Sequence, residues 1–125
     1  REIGEGGAES AVDYKRMIKV VAELEPVHQS IIWGMYYQGH SMRALATEWG
    51  IDELNILREH QVILQHIFAR MSEPKKIIGK LKVRPGLRQM AQQLRKGKDA
   101  PPFSKFTQME LLLMCVAIAQ HWYGA

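Results

Sequence analysis

Cysteine is nearly absent, with Cys115 standing alone in 125 residues. One thiol excludes an internal disulfide and any zinc site built from several cysteines, and it makes a reducing, cytoplasmic compartment the expectation. Its surroundings, LLLMCVAIA, mark it as a small core residue and not a nucleophile. Long apolar runs are also missing. The longest, from Met109 to Ala119, is interrupted by Glu110 and is too short to span a bilayer, so no membrane partner is expected. No signal-peptide pattern opens the chain, which begins at Arg1. His28, His40, His60, His66 and His121 follow no HExxH or Cys/His spacing. No glycine-rich loop follows a strand, and no Ser/His/Asp set stands out, so neither enzymatic chemistry nor a metal or cofactor is expected. Aromatic residues make up only 8%, and Trp33, Tyr36, Tyr37 and Trp49 gather in one stretch, which points to helix packing over base stacking.

What is present is an uneven charge. The net charge of +4 hides a division into −3 over residues 1–71, +8 over 72–105 and −1 over 106–125. A basic block of that size points to a polyanionic partner near it. The block is also punctuated by Gly79, Pro85, Gly86, Gly97, Pro101 and Pro102. Residues 1–10 are Gly- and Glu-rich without periodicity and read as a flexible arm. The remainder predicts an all-α fold, a small helical domain of five to six helices, with a helical body over 11–71, the basic segment over 72–105 and a C-terminal apolar helix over 106–125 packing on that body.

The elements follow from local signals. Val12, Met17, Val20, Val21 and Leu24 form a helical stripe over 11–24. Pro26 suits the first turn of a second helix, carrying Val27, Ile31, Ile32, Met35 and Tyr36 and ending at Gly39. Ser41 caps a short helix to Trp49, Gly50 stops it, and Asp52 caps a longer helix from Glu53 to about Met71. Residues 86–96 predict a short helix with Leu87, Met90, Ala91 and Leu94 on one face. IIGKLKV has strand character but no second strand to pair with. Thr107 and Glu110 form a capping box before the last helix, which ends near Tyr123.

Residues 40–64 meet the requirements of a helix-turn-helix. Ala46 is the small residue where the helices cross, Gly50 is the turn, and Ile51 and Ile56 point inward, with Leu45 and Trp49 completing the core face. On a helical wheel with Ile56 at zero, Ile63 and Ile67 fall within about 20° and His60 at about 40°, on the core side. Leu54, Gln61 and Arg58 fall at about 140–200°, facing away, with Asn55 at about −100°. These are the expected groups for base edges in the major groove. Arg58 suits guanine, Asn55 or Gln61 suits adenine, Leu54 suits a thymine methyl, and Glu53 suits the amino group of cytosine. Ser41 and Arg43 open the preceding helix and suit phosphates. Glu53 and Glu59 bring negative charge on or beside this helix, so affinity is expected to rely on the basic segment or on a second protein.

The stretch from Leu24 to Met71 resembles region 4 of bacterial sigma factors. The residues that carry the resemblance are Glu25-Pro26, Tyr36-Tyr37-Gln38-Gly39-His40-Ser41, Leu45-Ala46 and Trp49-Gly50-Ile51. It departs from sigma factors after Gly50, where Glu53, Leu54 and Leu57 replace basic and polar residues. With the basic segment and the final apolar helix, the whole layout resembles the late-gene antitermination Q proteins of lambdoid phages, of the phage 21 type. The resemblance implies a transcription antitermination factor in a bacterial host cell. Such a factor binds double-stranded DNA near a promoter, loads onto RNA polymerase paused with its sigma factor, and promotes read-through of terminators. It also implies that Lys75, Lys76, Lys80, Lys82, Arg84 and Arg88 meet nascent RNA or the polymerase surface. A phage or plasmid regulator with a sigma-like helix-turn-helix, or a helical protein-interaction module that binds no DNA, are the alternatives.

Overall fold

The computed structural model describes residues 13–72, 79–87, 89 and 106–123. The arm over 1–10, the bases Lys75, Lys76 and Arg88, and most of the short helix expected over 86–96 lie outside the described residues. Every regular element among the described residues is helical, and none of them forms a strand.

Helix α1 runs from Tyr14 to Ala22, with the Asp13 carboxylate accepting from the Arg16 amide at 3.1 Å. Met17, Val20 and Val21 recur at helical spacing and are buried. The last carbonyls of a helix lack partners within it. Here the buried Gln29 answers one of them, donating from Nε2 to the Val21 carbonyl at 2.9 Å. That bond fastens α1 to α2, Pro26–Ile32, which starts with proline in its first turn and is buried from Val27 to Ile32.

The second helix was expected to continue regularly to Gly39. Instead it loosens at Trp33–Tyr37 into a π-helical turn, in which the Gln38 amide reaches back five residues to the Trp33 carbonyl at 3.0 Å. Trp33 stacks on Tyr37 within the turn, and the turn is held from outside by Phe106, stacked on Trp33, and by His60 of another helix, bonded to Tyr36. Such turns persist where tertiary contacts override the regular ladder. Gly39, at φ 77°, then reverses the chain.

Helix α3, Met42–Trp49, begins with Ser41 Oγ accepting from the Ala44 amide at 3.0 Å. It ends at Gly50, which is left-handed at φ 69°. The Ile51 amide bonds the Ala46 carbonyl and the Gly50 amide the Thr47 carbonyl, a pair of bonds that fixes the exit direction. Helix α4, Glu53–Ser72, follows at once, with Asp52 Oδ1 accepting from the Leu54 amide. Helix α5, Gln108–Tyr123, opens with the Thr107–Glu110 capping box: each residue's side chain accepts from the other's amide, at 3.2 and 2.8 Å.

One core joins these elements. Ile56, Ile63 and Ile67 of α4 share it with Leu45, Ala46 and Trp49 of α3, and α5 lays Leu111, Met114, Cys115 and Ile118 against α1 and the π turn. Val83 and Leu87, from the basic part of the sequence, belong to the same core.

Candidate nucleic-acid interface

Helices α3 and α4 pack against each other across the three-residue turn 50–52. Burying Ile56, Ile63 and Ile67 turns the opposite side of α4 outward. Arg58 and Gln61 are exposed there, Leu54 is 52% exposed, and Asn55 is half-buried at the edge. Ser41 is exposed, and its hydroxyl proton stays available while the oxygen caps α3. Arg43 is also exposed, with Nε 3.4 Å from Glu53 Oε1. That pair joins the starts of the two helices and offsets the charge of Glu53, though screening makes its contribution to stability small.

Glu59 corrects an expectation. It is not beside the outward face but 2% exposed, with Oε1 accepting from His28 Nε2 and Oε2 from Arg84 Nε, each at 2.7 Å. Its charge is therefore satisfied internally and does not repel phosphate. The signal for its burial is its place at −60° on the wheel, on the core side. His28 is fully buried, and the structural roles of His28 and Glu25 were not visible in the sequence, because their partners lie far along the chain.

Of the basic residues, Lys80 and Lys82 are exposed, whereas Arg84 is engaged by Glu59 and remains 46% exposed. The Tyr36 phenol, pushed up to about 12 by burial, shares a hydrogen bond with His60 Nε2 at 2.9 Å. Burial, with help from His121, holds His60 below the usual histidine range. Farther along α4, Leu64, Gln65 and Phe68 line an open pocket of about 450 Å³ with Trp122. Among the described residues no group of His, Cys, Asp or Glu is arranged to hold a metal ion, and no helix is long and apolar enough to cross a membrane. No protein-family model, curated protein or solved structure matches the chain.

Proposed function

We propose that α3 and α4 form a helix-turn-helix that binds duplex DNA, and that the protein acts in transcription as an antitermination factor working with RNA polymerase and its sigma factor. The observation behind the DNA-binding part is the division of α4. Isoleucines fix one side in the core, while Leu54, Arg58 and Gln61 stand outward beyond the left-handed turn at Gly50. A helix held this way presents its first turns to the major groove, with Asn55 at the margin of the contact. Ser41 and Arg43, at the start of α3, suit backbone phosphates, and Glu53 exchanges its Arg43 partner for a cytosine amino group. The role in antitermination rests on the sequence resemblance, which implies nascent RNA or polymerase as a further partner of the basic segment.

Replacing Arg58 by Ala tests the DNA-binding part. A lost bidentate base contact lowers specific affinity by about 1–3 kcal/mol, measured by titration against selected duplexes. Unchanged affinity removes Arg58 from the interface. The antitermination part is tested by run-off transcription across a terminator with purified polymerase, where read-through must depend on the protein. A second reading, a helical protein-interaction module, draws on the open pocket beside Phe68 and Trp122. A weak duplex affinity that does not fall with salt supports that alternative.

A further inference from the structure

Residues 80–84, outside any helix, alternate in burial. Lys80, Lys82 and Arg84 are exposed, Leu81 is partly buried, and Val83 is 5% exposed. Such a run has no ladder to hold it, yet it is tied down at consecutive residues. Glu25 Oε2 accepts from the Val83 amide at 2.7 Å, and Glu59 Oε2 accepts from Arg84 Nε at 2.7 Å. The other oxygen of Glu59 is taken by His28 Nε2, so both oxygens of this buried carboxylate are occupied. Two carboxylates from different elements, one beside the start of α2 and one on α4, grip the same strap.

We infer that Glu25 and Glu59 form a two-point clamp that holds residues 79–84 in register, and that the clamp carries Lys80 and Lys82 as phosphate contacts on the flank of DNA bound by α4. Arg84 is then a positioning residue and not itself a nucleic-acid contact. The geometry favours duplex DNA over RNA. Glu59 directly follows Arg58, and it lies on the wheel between the core stripe and Asn55, so the strap meets α4 on the flank next to its outward face. Lys80 is four residues from Arg84, at most about 13 Å of extended chain. The role of the lysines rests on the DNA-binding proposal above, but the clamp does not.

The clamp makes a counterintuitive prediction. Removing an acid from a DNA-binding protein ordinarily strengthens binding, whereas Glu59→Gln is expected to weaken it. The test uses the full chain as wild type, as Glu59→Gln, and as the double variant Lys80→Gln/Lys82→Gln. Two quantities are read: amide exchange at Val83, and the salt dependence of duplex binding. In Glu59→Gln, exchange at Val83 accelerates at least tenfold while Ile63 and Ile67 keep their protection. The slope of log affinity against log salt falls by about 2 in both variants, the loss of two phosphate contacts. Should Glu59→Gln fail to fold, Glu25→Ala removes the acceptor of the Val83 amide and leaves the buried partners of Glu59 in place. Unaltered exchange at Val83 overturns the clamp, whatever the chain binds. Faster exchange with duplex affinity unchanged or raised overturns the role of the lysines, as does a lysine-dependent salt slope found only with single-stranded RNA. Faster exchange in a chain whose wild type binds no duplex supports the clamp and refutes the DNA-binding proposal.

Discussion

Gly34, in the π turn, lies directly against Leu45 of α3, and enlarging it tests whether that closeness is required. A methyl group built there falls 2.9 Å from Leu45 Cδ1, 3.5 Å from Cδ2 and 3.7 Å from Cγ. Carbon atoms prefer about 3.5–4.0 Å, so Leu45 must retreat by roughly 0.6–1 Å. Leu45 is 1% exposed and enclosed by the core, so that retreat meets other side chains. Overpacking of this kind costs about 1–3 kcal/mol. Replacing glycine with alanine in a helix returns up to about 1 kcal/mol, less in a π turn, leaving Gly34→Ala roughly 0.5–2 kcal/mol less stable. Leu45→Ala alone costs about 2–5 kcal/mol for the cavity it opens. The two changes together should offset each other, because the new methyl enters the space that leucine vacates. The double variant is therefore expected to be more stable than the sum of the singles by at least about 1 kcal/mol, roughly 4 °C in Tm. Urea unfolding followed by tryptophan fluorescence measures all four corners of the cycle. Additive effects within about 0.5 kcal/mol, or a stabilised Gly34→Ala, refute the close contact.

Gly50→Ala places an L side chain at φ 69° and is expected to cost about 1–2 kcal/mol in urea unfolding, with Gly50→Asn costing less; an alanine variant as stable as wild type argues against the left-handed turn. Stability should also fall at both ends of the pH range. Burial lowers His60 and His66 below 6.5 in the folded state, so the unfolded chain binds more protons there, and stability is lost as pH falls from about 6.5. Burial raises the Cys115 thiol to about 12, so the unfolded chain gives up its proton first, and stability is lost as pH rises past about 9. Thermal unfolding across this range should give a plateau between the two limbs. An acid limb unchanged in His60→Gln/His66→Gln, or an alkaline limb unchanged in Cys115→Ala, removes the corresponding assignment.

The parts of this fold that were legible in the sequence are those whose cause lies within one helical turn. Ser41, Gly50, Asp52, Thr107 and Glu110 act on amides at most five residues away, and the ends of α3 and the start of α4 fall where they indicate. The apolar period of α4 also gave its buried and outward sides, including the positions of Arg58 and Gln61. The π turn at Trp33–Tyr37 was not legible, because what favours it is Phe106 and His60, each more than 20 residues distant. Glu59 shows the same limit more sharply. Taken alone, an acid on an amphipathic helix reads as solvated charge, which places it toward the outward face. Its partners are His28, 31 residues back, and Arg84, 25 residues ahead. Leaving an ion of this kind buried without them costs about 3–5 kcal/mol, so the geometry that buries Glu59 must also deliver both donors. The wheel position of a charged residue therefore carries more information than its charge does. An acid at −60° from the core stripe predicts a distant base brought to meet it, and here that base belongs to the strap carrying Lys80 and Lys82.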